Sequence, residues 1–130
     1  MPEPFRTRVS ARGYEVDSNG HVAGPILLQY SQHARWECLR AAGINQDELL
    51  ADGVGPVSLE ESIRYHKEVR AGDEIDVTCT FVFGDGKTFR VEQELRRADG
   101  VLVAEVSNVG GLLSLADRRL VPEPAARWRA

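Results

Sequence analysis

Cysteine, methionine and aromatic residues are scarce in this sequence: two cysteines, one methionine and 7% aromatics in 130 residues. Cys38 and Cys79 stand far apart, each inside an apolar pattern. They read as reduced core residues, and neither a disulfide framework nor a zinc site fits their spacing. No apolar run approaches membrane-spanning length, and the opening Met1-Pro2-Glu3-Pro4 carries no apolar leader core, so a soluble, cytoplasmic protein without a membrane partner is expected. Positive charge is not in excess. The formal net charge is −4 with no basic stripe, which argues against nucleic acid as a partner. Also missing are a Gly-x-Ser-x-Gly elbow, which excludes a Ser-His-Asp hydrolase of the α/β type, and any Walker or dinucleotide glycine loop. With no internal repeat and no composition break, residues 1–130 are expected to form one domain.

What the chain does have is a concentrated stretch, Asp17-Ser18-Asn19-Gly20-His21-Val22-Ala23-Gly24-Pro25. It places an acid, an amide and an imidazole in a turn before the one long apolar helix the sequence can form. Pro25 suits a first helical position, since its ring presets φ and its missing N–H would have had no intrahelical partner. Periodicity extends that helix from Pro25 to Ala42, with Ile26, Leu27, Tyr30, Ala34, Cys38 and Ala41 at three- and four-residue spacing. Leu28, Trp36 and Leu39 widen the apolar arc, which predicts a helix largely surrounded by protein, and Gly43 stops it. A short second helix follows, capped by Asn45 and ended by Gly53.

Strands flank this helical block. Phe5 to Tyr14 alternates with a basic outer face, giving a first strand. Val57, Leu59, Ile63 and Tyr65 mark the next run, interrupted only by Glu61, and Gly72-Asp73 turns the chain. Ile75 to Phe83 alternates up to the turn Gly84-Asp85-Gly86-Lys87. Phe89, Val91 and Leu95 lead to the Asp99-Gly100 hairpin signal. A final run from Val101 to Leu115 holds Gly110-Gly111, where a bulge or close backbone approach is expected. Beyond Pro122 no pattern is foldable. One strand, a long helix and four strands joined by short turns predict an α+β fold, an antiparallel sheet curled around a single helix.

The register of these residues resembles the hot-dog-fold acyl-CoA thioesterases, specifically the 4-hydroxybenzoyl-CoA thioesterase-like branch. Asp17, Gly20, His21 and Val22 match that family's Asp-x-x-Gly-His-Val, and Ala34-Arg35 falls at the family's helical distance. Tyr65, Gly72 and Asp73 match its sheet motif, and Asp99-Gly100 and Leu120-Val121-Pro122 are similar to its hairpin and ending. Ala23-Gly24 replaces the usual Asn pair, Leu27 a common aromatic, and Glu68 a frequent Pro. The resemblance implies a sheet of about five strands around one central helix and hydrolysis of an acyl-CoA or acyl-carrier-protein thioester. It further implies a homodimer or homotetramer through the open sheet edge, with no cofactor and no metal.

On this reading Asp17 is the nucleophile or general base, kept ionised by the nearby helix start. A backbone N–H of Gly24, Ile26 or Leu27 stabilises the oxyanion, because Pro25 cannot donate. Asn19 orients Asp17 or a water, and His21 is either a proton carrier or a buried histidine tying the loop. The bland reading of Asp17 is an Asx-turn. Glu61 is expected to face the active site, where it and Tyr65 meet substrate, or to meet a neighbouring subunit, with Arg35 or His33 as its partner. Arg64, Lys67, Arg70, Lys87 and Arg90 are candidates for CoA phosphates, and Glu37 is a minor alternative acid. The alternatives are an (R)-specific enoyl-CoA hydratase-like lyase and a non-catalytic acyl-CoA-binding hot-dog protein. Asp17-Ser18-Asn19-Gly20-His21 resembles the hydratase loop but lacks its Pro and is one residue short.

Overall fold

A computed structural model describes residues 5–84 and 86–124. The elements run β1 (Phe5–Ser10), a 3-10 turn (Gly13–Glu15), α1 (Gly24–Ala41), α2 (Gln46–Ala51), β2 (Val54–Tyr65), β3 (Glu74–Phe83), β4 (Thr88–Arg97), β5 (Leu102–Ser114) and β6 (Arg119–Leu120). All strands join one antiparallel sheet in the order β1-β3-β4-β5-β2, with β6 beside β5. The curled antiparallel sheet and its one long helix are the α+β, hot-dog arrangement the sequence predicts. β6 is an addition: two residues are too few to show a period. The terminal segments Met1–Pro4 and 125–130, and Asp85 in the β3–β4 turn, lie outside the described residues.

The core lies between α1 and one sheet face. Alternation puts Val9, Ile75, Val77, Val91, Leu95 and Val106 inward, each at most 6% exposed. Leu27, Tyr30 and Ala34 of α1 cluster with all of these but Val91, a spacing that keeps one helical stripe on the sheet. The helix ends in a Schellman motif. Gly43, at φ 86°, donates to the Arg40 carbonyl, and Ile44 N–H reaches back to Leu39. Within one chain α1 is not surrounded, contrary to the breadth of its apolar arc. Ile26, Leu28, Trp36 and Cys38 are only half-buried and Ala41 is exposed, because the sheet covers a single side.

β2 departs from simple alternation. Its register against β5 slips between Ser58 and Glu60, leaving Leu59 as the extra residue of a bulge, 52% exposed. A bulge reverses which parity faces the core. Ser58, Glu61 and Ile63 therefore turn toward α1, so Glu61 does not interrupt a continuous apolar row: Leu59 has left that row. The glycine pair sits opposite, Gly110 against Ser58 and Gly111 against Val57, and a Cβ on Gly110 would lie 2.9 Å from the Val57 carbonyl oxygen. Close backbone approach is thus the reason for Gly110. No helix among the described residues is long and apolar enough to cross a membrane.

Candidate active site

The loop before α1 is a small hairpin. Val16 and Val22 form an isolated antiparallel bridge, Asp17 N–H donates to the His21 carbonyl at 2.8 Å, and Gly20 N–H returns to the Asp17 carbonyl at 3.1 Å. Gly20 takes φ 81°, the left-handed position that closes such a turn. The loop is pinned from two sides, because Val22 N–H donates to Val69 and Ala23 N–H to Glu15. Sequence order alone therefore delivers Asp17 to the mouth of the helix.

Asp17 is exposed. Its Oδ1 accepts from Asn19 N–H at 2.9 Å and from His21 N–H at 3.4 Å. The carboxylate is thus oriented by its own loop, as in an Asx-turn, and not by the free N–H groups of α1. Asn19 contributes its backbone N–H to this arrangement. His21 is not buried: its side chain is 38% exposed, and its Nε2 lies 2.6 Å from Glu68 Oε2. Glu68, in the place of the family's frequent proline, also accepts from Arg70 at 2.7 Å. The hydrogen bond from Arg70 lowers the Glu68 carboxyl from its ordinary value against the opposing effect of desolvation, with His21 assisting.

The helix start sorts the oxyanion candidates. Ile26 N–H donates to the Ala23 carbonyl at 3.0 Å and Leu27 N–H to the same oxygen at 3.4 Å. Both N–H groups, including that of the candidate Ile26, are engaged inside the first turn. Pro25 has no N–H. Gly24 N–H is the remaining donor, with no acceptor among the described residues. Tyr65 leans over it, and a Cβ on Gly24 would lie 2.5 Å from Tyr65 Oη. The absence of a side chain at position 24 is what lets the ring sit there.

The remaining predicted residues divide by position. Glu61 faces α1 and pairs with Arg35, Nη2 to Oε1 3.6 Å, while His33 is exposed and takes no part. Arg64 lies beside Glu105, in a shallow depression with Ser62, Glu92 and Ser107. That is the opposite sheet face from α1, so Arg64 does not join Asp17. Lys87 sits at the far end of the sheet. Its neighbour Thr88 pairs with Gly111 whereas Tyr65 pairs with Ala104, a separation of about 23 Å along β5. Arg90 bonds Glu92 on the outer face. Lys67 is exposed just beyond Tyr65, near the Gly24 end. Glu37 pairs with Arg40 at 3.1 Å.

Two features escaped sequence reasoning. Glu15 is 8% exposed and accepts the Tyr30 hydroxyl of α1, Arg12 N–H at 2.9 Å and Arg12 Nη1 at 3.2 Å. Burial alone would raise its pKa, but these hydrogen bonds outweigh it and hold the carboxyl below its ordinary value. Tyr30 had read as one more apolar residue of the arc, and no local spacing links it to position 15. The second is a cavity of about 100 Å³ beneath the C-terminal half of α1, lined among others by Arg35, Trp36, Ser58, Phe89 and Asn108.

Known proteins bear on this geometry. The sequence profile of the thioesterase-like superfamily matches residues 12–127. An acyl-acyl carrier protein thioesterase from Arabidopsis thaliana, a chloroplast protein, is 32% identical over 77 residues, covering 59% of this chain. The match takes in 40% of that relative, so the chain corresponds to well under half of its length. Among solved structures, a 1,4-dihydroxy-2-naphthoyl-CoA thioesterase from Synechocystis superposes with a TM-score of 0.85 at 19% identity over 92% of this chain and 89% of its own. A Staphylococcus aureus protein solved in complex with CoA superposes at 0.86, with 19% identity, over 95% and 78%. At these identities the superpositions establish the shared fold.

Proposed function

Because the chain belongs to the thioesterase-like superfamily, we propose that it hydrolyses an acyl thioester carried on CoA or on an acyl carrier protein. The observation that carries the reading is the pairing of Asp17, held on a pinned hairpin, with Gly24, the one unclaimed N–H at the start of α1.

A thioester carbonyl needs an attacking oxygen and a donor for its developing negative charge. Asp17 supplies the first, directly or by taking a proton from water. Gly24 N–H supplies the second, aided by the partial positive charge of the helix start. The tetrahedral intermediate collapses by breaking the C–S bond, and the thiolate leaves and is protonated. Attack by water gives the free acid at once; direct attack gives an acyl anhydride of Asp17 that a water then splits, so either route consumes one water. Asn19 and His21 act through their backbone N–H groups by fixing the Asp17 rotamer. Glu68 and Arg70 hold the His21 side of the loop. Lys67, beside Tyr65, meets the phosphates of the thiol carrier in this reading; Arg64 lies on the opposite sheet face and Lys87 about 23 Å away along β5.

A free-thiol release assay over short-chain, long-chain and aromatic acyl-CoAs tests the reading. The wild type is expected to release thiol from at least one class, and Asp17→Asn to lose at least about 100-fold in kcat. Absence of turnover on every class overturns the hydrolase assignment, whereas unchanged turnover in Asp17→Asn moves the chemistry elsewhere. Crotonyl-CoA hydration in the same set separates the lyase alternative.

A further inference from the structure

The cavity beneath α1 is apolar on Trp36, Leu39, Phe81 and Phe89, but Arg35, Ser58 and Asn108 also border it. Asn108 is 2% exposed. Its Nδ2 donates to Ser58 Oγ at 2.9 Å, and its carboxamide oxygen has no partner among the described residues. That oxygen is not sealed from solvent, since Arg97 Nε is the one buried side-chain atom without a partner among the described residues, so it is open to a donor in the cavity. Beside it the Arg35 guanidinium donates to Gln93 Oε1 at 3.1 Å, and Gln93 is itself fixed by a bond to the Ser31 carbonyl at 2.9 Å. Glu61 approaches Arg35 only to 3.6 Å, beyond hydrogen-bond reach. Burial pulls the Arg35 pKa down and Glu61 offsets this in part. A cavity built only to hold hydrocarbon would not need this polar wall.

Its position sets what can reach it. From Gly24 to Gln32, the first cavity residue on the helix, is eight residues, about 12 Å along the axis, and to Arg35 about 16 Å. An extended chain advances about 1.2 Å per bond, so the cavity lies about ten to thirteen bonds from a carbonyl held at Gly24. A group of aromatic size attached directly to that carbonyl stops short.

We propose that this cavity receives the far end of a linear acyl chain of about ten to fourteen carbons that bears a neutral oxygen, a hydroxyl or keto group, near that end, read by Asn108 and Arg35. A hydroxyl donates to the free Asn108 oxygen, and either group accepts from the guanidinium. A terminal carboxylate is disfavoured because Glu61 already faces Arg35. The inference rests on the thioesterase reading and deepens it by naming a substrate class.

The test compares dodecanoyl-CoA with 12-hydroxydodecanoyl-CoA, together with calorimetric binding of the two free acids to the unmodified protein. In the wild type kcat/KM is expected to favour the hydroxylated thioester by about tenfold, with the same order in binding. Asn108→Leu should bring the ratio to about one while dodecanoyl-CoA is still hydrolysed. Asn108→Ser, smaller and able to keep Ser58 bonded, serves if the leucine variant fails to fold by circular dichroism. Equal handling of the two thioesters by the wild type, or a preference that survives loss of the carboxamide, overturns the inference while the hydrolase reading stands. If no thioester is hydrolysed the hydrolase reading fails, and calorimetry alone then decides: stronger binding of the hydroxy acid supports the cavity assignment, and equal or absent binding rejects it.

Discussion

Glu15 and Tyr30 lock the segment leading into the Asp17 loop to the helix through one buried hydrogen bond, and the pair has consequences in stability and in pH. Tyr30→Phe leaves the carboxylate with its Arg12 contacts but without its donor from α1. Truncating one partner of a buried charged hydrogen bond costs about 1–3 kcal/mol, which urea unfolding at pH 7 measures. The folded-state carboxyl titrates below its ordinary value, so its stabilisation is present above that value and is lost as pH falls through the lower one. The wild type should therefore lose more stability than Tyr30→Phe between pH 5 and pH 3, and parallel losses would contradict the assignment. The cysteines behave differently from their separation in sequence. Cys38 packs against the cluster containing Cys79. The hydrogen bond from Cys79 lowers the Cys38 pKa, while the same bond together with burial pushes Cys79 up. Iodoacetamide at pH 8 should modify Cys38 first and reach Cys79 only on unfolding, read by peptide mass. Equal rates at both would show that the thiols are not paired.

Elements announced by period and punctuation were legible in the sequence. The alternation of Ile75 to Phe83, the helix ended by Gly43 and the turns at Gly72 and Gly100 follow from local rules. The bulge at Leu59 was not legible from β2 itself, because a single extra residue keeps every neighbour plausible and only the partner strand shows the slip. Its trace lay across the sheet, in Gly110-Gly111. Asp17 and Gly24 were legible as a loop beside a helix start, but the selection of Gly24 over Ile26 depends on where the Ala23 carbonyl points, which no sequence spacing encodes. The Arg35–Glu61 contact and the Glu15–Tyr30 bond likewise join residues distant in the chain. The glycine pair separates two kinds of contact. Gly110→Ala drives a Cβ to 2.9 Å from the Val57 carbonyl oxygen, whereas Gly111→Ala meets Leu120 Cδ2 at 2.7 Å. A side-chain end on a two-residue strand can move and a backbone carbonyl inside a paired ladder cannot. Gly110→Ala should therefore cost about 1–3 kcal/mol and Gly111→Ala less, measured as shifts in thermal midpoint, and the reverse order would place the rigid contact at Leu120.

The whole molecule leaves one long edge unfinished. Among the described residues β2 pairs only with β5, so one side of its twelve-residue backbone has no partner strand there. Exposed edges of that length are usually blunted, and here the bulge interrupts the edge once, at Leu59. The stretch Glu60–Tyr65 continues regularly beyond it, and Leu59 and Tyr65 are 52% and 53% exposed. Tyr65 also overhangs Gly24, so whatever covers this edge borders the start of α1 and the proposed site. The half-buried residues of α1, Leu28 and Trp36 among them, share the same incompletely covered side. A second copy pairing β2 to β2 by a two-fold axis would satisfy both strands at once and bring the two edges into one sheet. Sedimentation velocity at micromolar concentration should thus show a dimer or a dimer of dimers. Leu59→Lys, which places a charge on the edge without disturbing the core, should shift the protein toward monomer and lower thiol release in parallel, with an unchanged circular dichroism spectrum. A wild-type monomer with full activity would mean that Asp17 and Gly24 of one chain are sufficient and that the open edge serves something other than self-association.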